Sequence, residues 1–250
     1  VPHLCIMDLK SGRVVDLLEG TDYELPRREP SANEFDISAD GKSISFVFDP
    51  EKAQNAAPRM ALAEIQLKGS KVIAIRDLVK DPAWDVSGPA YSPTGDQLAF
   101  LASHQALKHT QPNHLALLEL PKPSKAKSSQ PARPWKTISP KWDREPQMPL
   151  KWSEDGSALL CKAEDRGRQH VWRFDIAKQQ PTVVAEGGEP LLQSLCRLAR
   201  FAQLHAAAQQ HDPAIDIAGV GFQLRFQPVD HASDHRGLRA FGQGGGGFDL

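Results

Sequence analysis

Three cysteines in 250 residues, Cys5, Cys161 and Cys196, are too few and too widely separated for a disulfide framework or a zinc site. The first two stand in strand-like runs and read as buried free thiols. Neither sign of charge dominates: 30 basic residues face 31 acidic ones, a formal net charge of −1. No global basic excess therefore invites nucleic acid or an anionic membrane surface. No apolar run approaches the ~18 residues of a membrane span. The chain opens with Val1 and shows no charged start followed by a hydrophobic stretch, so no signal peptide is readable and a truncated amino terminus, a fragment, is expected. Lysine is missing from the last 72 residues, although 15 lysines precede them.

What is present is repetition. "ISADGKSISFVF" (Ile37 to Phe48), "YSPTGDQLAFLAS" (Tyr91 to Ser103) and "WSEDGSALLCKA" (Trp152 to Ala163) share one pattern. Aligned on Ser38, Ser92 and Ser153, the copies lie 54 and 61 positions apart. Each reads large apolar residue, Ser, any residue, Asp or Thr, then Gly41, Gly95 or Gly156. Apolar residues follow with a period of two: Ile44 and Phe46, Leu98 and Phe100, Leu159 and Cys161. That period marks a strand with one buried face. The Ser and Asp or Thr oxygens suit turn amides, and glycine accepts the positive φ of a tight turn. Each phrase is thus expected to be a β-hairpin.

A second element follows each copy: "MALAEIQLKGSKVIAI", "HLALLELPKPS" and "HVWRFDIAKQQPTVVA", marked by Leu67, Leu120 and Ile176. The opening "HLCIMDLKSGRVVDLL" is another, without its own first hairpin. Two hairpins per repeat make a four-stranded unit, the size of one β-propeller blade, and such units bury their faces only by stacking. The expected fold is all-β: a partial β-propeller of about three and a half four-stranded blades, with a non-propeller carboxy-terminal tail containing one helix. The propeller spans 1–188, with a blade remnant at 1–20 and blades at about 33–80, 87–139 and 148–188. "PEKAQNAAP" and "PKPSKAKSSQPARP" are read as loops, because proline- and lysine-rich segments pair poorly into sheets.

These motifs resemble the PD-type, WD40-like propeller repeats of the prolyl oligopeptidase family of serine peptidases, and also those of TolB-type periplasmic proteins. "EFDISADGKSISFVFD" (Glu34 to Asp49) and "LKWSEDGSALLCKAEDRGRQHVWRFDI" (Leu150 to Ile176) resemble the acylaminoacyl-peptidase and dipeptidyl-peptidase branch. The resemblance covers roughly residues 1 to 188 and implies a propeller that restricts peptide access to an α/β-hydrolase domain not contained here. It implies a peptide substrate, reached only through that missing domain. The TolB likeness implies instead a module that docks a protein partner. Glu164, Asp165, Arg166 and Arg168, in the AEDRGR run, are better read as a solvated loop than as substrate contacts.

No catalytic, cofactor-binding or metal-binding residue is assigned. No serine has glycine at both −2 and +2, as a nucleophile elbow requires. The nearest match, Gly41 before Ser43, fails at Ser45, and the same "GKS" is no phosphate loop because position 36 is Asp. The acidic Glu-Glu anchor of some dipeptidyl peptidases is not apparent. Sugar- or metal-dependent lyases would call for inward His and Asp at matching blade positions, which the repeats do not show. His104, His109 and His114 read as an exposed loop between strands. His231 and His235 have the i, i+4 spacing of metal ligands, with Asp234 beside them, but a polar loop is the simpler reading.

The tail, 189–250, breaks the pattern. "EPLLQSLCRLARFAQLHAAAQQ" carries a helical apolar stripe with Pro190 at a first-turn position, so a helix is expected at about 190–210. A strand-like "AIDIAGVGFQLRFQ" and an irregular glycine-rich end follow. The tail is expected to be a different domain or an out-of-frame translation. Unpaired blade edges are expected to favour self-association.

Overall fold

A computed structural model of the chain describes residues 2–26, 31–51, 59–107, 111–120 and 134–186. Residues 52–58 and 121–133 of the expected loops at 50–58 and 121–134, and the expected helix, strands and glycine-rich end of the tail, lie outside the described residues.

The described part is nearly all strand. β1 (Cys5–Met7) and β2 (Val14–Asp16) form an antiparallel pair. The first four-stranded blade holds β3 (Phe35–Ile37), β4 (Ser43–Phe48), β5 (Ala61–Lys68) and β6 (Lys71–Val79). The second holds β7 (Trp84–Tyr91), β8 (Gln97–His104), β9 (His114–Glu119) and β10 (Lys136–Thr137). The third holds β11 (Gln147–Trp152), β12 (Ala158–Asp165), β13 (Arg168–Asp175) and β14 (Gln180–Glu186). Each blade is an antiparallel meander in which chain order equals spatial order. The fourth strand of the second blade does not follow directly on "HLALLEL" as its counterparts do; it is the short Lys136–Thr137 segment beyond the proline- and lysine-rich stretch.

The three Ser-to-Gly phrases fold into the same turn, down to individual atoms. The amides of Ser38, Ser92 and Ser153 donate to the carbonyls of Ser43, Gln97 and Ala158, all at 2.9 Å. The glycine amides donate back to the serine carbonyls, again at 2.9 Å each. Each serine hydroxyl accepts from the amide five residues on: Ser43 at 2.9 Å, Gln97 at 3.0 Å and Ala158 at 2.9 Å. The hydroxyl donates to Asp40 in the first copy and Asp155 in the third. In the second, where Thr94 replaces the aspartate, the Ser92 hydroxyl donates to Asp96 at 3.0 Å. Bonds from the Ser153 hydroxyl, then from the Ser157 amide and hydroxyl, hold the Asp155 carboxyl down at about 2.

Gly41, Gly95 and Gly156 take φ of 68°, 70° and 68°, where a side chain is strained. Open space surrounds a Cβ at Gly95, and at Gly156 the nearest atom is Pro93 Cδ at 3.9 Å, so only backbone strain opposes substitution. Gly156→Val is expected to destabilise by more than about 1 kcal/mol, because a β-branched residue resists this region. Thermal melts showing no loss would contradict the turn assignment.

Alternation along the strands leaves every interior blade apolar on both faces, so stacking is what buries them. Leu4, Leu17 and Leu18 of the opening segment pack on Ile44, Phe46 and Ile65. Val47 and Leu62 of the first blade meet Leu98, Phe100 and Leu118 of the second. Leu101, Leu115 and Leu117, on the second blade's other face, meet Leu159, Cys161 and Phe174 of the third. The innermost strands β3, β7 and β11 touch in succession.

Candidate functional site

Where the inner strands meet, their ladders break. Pairing of β7 with β8 slips between Ser87 and Ala90, and pairing of β11 with β12 slips between Gln147 and Lys151. Such bulges re-aim backbone and side chains away from a regular sheet. A shallow open groove results, lined by Asn33 and Asp36 of the first blade, Gly88 and Pro89 of the second, and Pro149 and Lys151 of the third. Gly88 has φ of 61° and lies against Met148, whose Cγ would stand 2.7 Å from an added Cβ. Glycine is the residue that permits so close an approach. The Asp36 carboxylate is occupied: it accepts the Tyr91 amide at 2.8 Å, tying β3 to β7.

The repeated serines do not line this groove as nucleophiles, because their hydroxyls are committed to the turns described above. Gly41 and Ser43 sit in the first such turn, with Ser43 opening β4. No group of three or more His, Cys, Asp or Glu residues clusters as a metal-binding set among the described residues. Cys161 is buried and its thiol is pushed up to about 12 by that burial; Cys5 is also raised, by burial and then by Asp16. Both are free thiols. Cys196, His109, His231, Asp234 and His235 lie outside the described residues.

The AEDRGR run forms the turn between β12 and β13. Arg166 and Gly167 take φ of 51° and 74°, the two left-handed positions of the two-residue turn that matches strand twist. Glu164 pairs with Gln169 and Asp165 with Arg168. Asp165 accepts from Arg144 Nε at 3.1 Å and from its Nη2 at 2.8 Å, pinning the segment before β11 to this turn. His104 and His114 are strand residues rather than loop residues, closing β8 and opening β9. The Trp84 ring holds His104 edge-on at a centroid distance of 4.8 Å, which draws the ladder out to that residue.

Sequence reasoning did not find the polar contacts between blades. Glu64, in the apolar run of β5, is 3% exposed and accepts the Tyr91 hydroxyl of the second blade at 3.0 Å. Its other oxygen accepts Arg76 Nε at 2.8 Å. Trp152 Nε1 donates to the Ala90 carbonyl at 2.9 Å, so the large residue before each of the last two repeat serines reaches back to the preceding blade. A lone carboxylate inside an apolar strand was the available signal, since buried charges demand partners.

No family model matches the chain. No curated protein matches it either. Among solved structures it is similar to oligogalacturonate lyase from Vibrio parahaemolyticus, with a TM-score of 0.52, 10% identity, and coverage of 75% of this chain and 48% of that one. It is also similar to a puromycin-hydrolyzing peptidase from Mycobacterium tuberculosis, with a TM-score of 0.50, 16% identity, and coverage of 74% and 27%. TolB from Acinetobacter baumannii aligns with a TM-score of 0.45, 15% identity, and coverage of 72% and 37%. The chain is an arc of a β-propeller. It spans about half or less of the length of each of these structures. At such identities the likeness speaks to the fold alone, and this propeller arc is shared by proteins of different activity.

Proposed function

We propose that this propeller arc serves a serine peptidase of the prolyl oligopeptidase type, restricting peptide access to an α/β-hydrolase domain carried outside it. The observation that carries the reading is that the peptidase-like text from Leu150 to Ile176 falls on one continuous folded unit, β11 to β13 with the AEDRGR turn at its hairpin. The chemistry is consistent with a filter rather than a catalyst. Serine catalysis needs an activated hydroxyl, a base within hydrogen-bond reach and donors for the oxyanion. The three repeat serines spend their hydroxyls on turn amides and carboxylates instead.

Purified full chain is expected to leave aminoacyl and acylaminoacyl chromogenic substrates uncleaved and to take up no fluorophosphonate label. Stoichiometric labelling of one of its serines would overturn the reading. The genomic text downstream supplies the second arm. A G-x-S-x-G elbow followed by Asp and then His supports the peptidase, whereas a stop codon soon after the last blade favours a TolB-like module that docks a protein partner.

A further inference from the structure

Two sulfur-bearing side chains take part in the apolar cluster that joins the second and third blades, and they differ in what can reach them. Cys161 is 3% exposed, and burial holds its thiol up at about 12. Peroxides react with the thiolate, so a thiol kept buried and protonated is inert. Met148 packs against the same cluster but is only partly buried. A thioether needs no deprotonation to be oxidised, only access.

Met148 also stands where these two blades meet through their innermost strands. It lies within the register slip of β11, between Gln147 and Lys151, and Gly88 lies within the slip of β7, between Ser87 and Ala90. The stem of Met148 covers Gly88: a Cβ on that glycine would stand 2.7 Å from Cγ, 2.9 Å from Sδ and 3.9 Å from Cβ of the methionine. No side chain fits between the two, so the sulfur has no slack on its Gly88 side. The groove described above runs past this contact, with Gly88 and Pro149, the residue after Met148, both in its lining.

We propose that Met148 is a site of reversible oxidation by hydrogen peroxide, and that its sulfoxide loosens the contact between the second and third blades. A sulfur lone pair attacks one peroxide oxygen and the O–O bond breaks. The other oxygen takes up the proton of the first and leaves as water, so the sulfur gives up two electrons and the peroxide gains them. The new S–O group is polar and bulkier than the thioether. It must stay desolvated among the apolar side chains of the cluster or press β7 and β11 apart to reach water. Gly88 has no flexible side chain to move aside, because what the sulfur faces there is backbone. Methionine sulfoxide reductases return the sulfoxide to the thioether, which makes the change reversible.

Treatment of the full chain with hydrogen peroxide, followed by peptide mass mapping and thermal melts, tests this. Met7, Met60 and Met148 are the chain's three methionines. Met148 is expected to gain one oxygen while the chain is folded, and the melting midpoint to fall by about 4 °C. The midpoint is expected to return after treatment with methionine sulfoxide reductases, which do not act on oxidised cysteine. Met148→Leu keeps an apolar side chain of similar volume, and its midpoint is expected not to move with peroxide. The double variant Met7→Leu, Met60→Leu keeps Met148 as its single methionine and is expected to respond as the wild type does. It carries the test should Met148→Leu fail to fold. Resistance of Met148 to oxidation in the folded chain overturns the proposal. So does a midpoint unchanged by the sulfoxide, an equal response from Met148→Leu, or a double variant that no longer responds.

Discussion

Phe100→Ala is expected to lower the unfolding free energy by about 3–5 kcal/mol, the range for truncating a fully buried phenylalanine. Phe100 is 0% exposed, on the face of β8 that packs against the first blade. Its ring meets Trp135 at a centroid distance of 5.5 Å, so truncation also removes an aromatic contact. The surrounding side chains come from two blades, Val47 and Leu62 from the first and Leu98, Ala116 and Leu118 from the second. A cavity there cannot be closed by one sheet collapsing on itself, because relaxation would require the two sheets to approach. Urea denaturation at fixed protein concentration reads the effect as a lowered midpoint. A loss under about 1.5 kcal/mol, the scale of a tolerated hydrophobic swap, would contradict this packing.

The contrast between what was legible in the text and what was not follows sequence distance. The Ser-to-Gly hairpins are legible because every bond that makes the turn lies within five residues, between Ser153 and Ala158 for instance. Strand faces are legible because Leu98 and Phe100, or Leu159 and Cys161, repeat at a period of two. The contacts between blades are another matter. Tyr91 finds Glu64 across 27 residues and Asp36 across 55, and Trp152 finds the Ala90 carbonyl across 62. Those partners are chosen by how the sheets stack, which no local pattern encodes. The inner groove was invisible for a related reason: no local pattern relates Gly88 to Pro149, and only the structure puts both slips of register side by side. The histidine-rich stretch was misplaced because Trp84, 20 residues before His104, extends the ladder to it.

Glu64→Ala is expected to cost about 3 kcal/mol, the low end for breaking a buried ion pair by removing one partner. The carboxylate is where the first two blades exchange polar bonds. One oxygen accepts the Tyr91 hydroxyl at 3.0 Å, the other accepts Arg76 Nε at 2.8 Å and Nη2 at 2.7 Å. Removing it strands a phenol whose proton burial already holds firmly, with the Glu64 charge adding to the effect, so Tyr91 stays neutral and becomes a buried donor without its acceptor. Arg76 suffers less, since its side chain is 38% exposed and can turn to water. That is why the low end of the range applies. Tyr91→Phe should cost less, about 1–2 kcal/mol, because the carboxylate keeps its arginine and loses one donor. The double variant Glu64→Ala, Tyr91→Phe is then expected to lose about 1 kcal/mol less than the two single losses added together, because the second change removes the donor that the first left unpaired. Strict additivity in the denaturant midpoints would mean that the two side chains do not meet, and the polar link between the first and second blades would have to be abandoned.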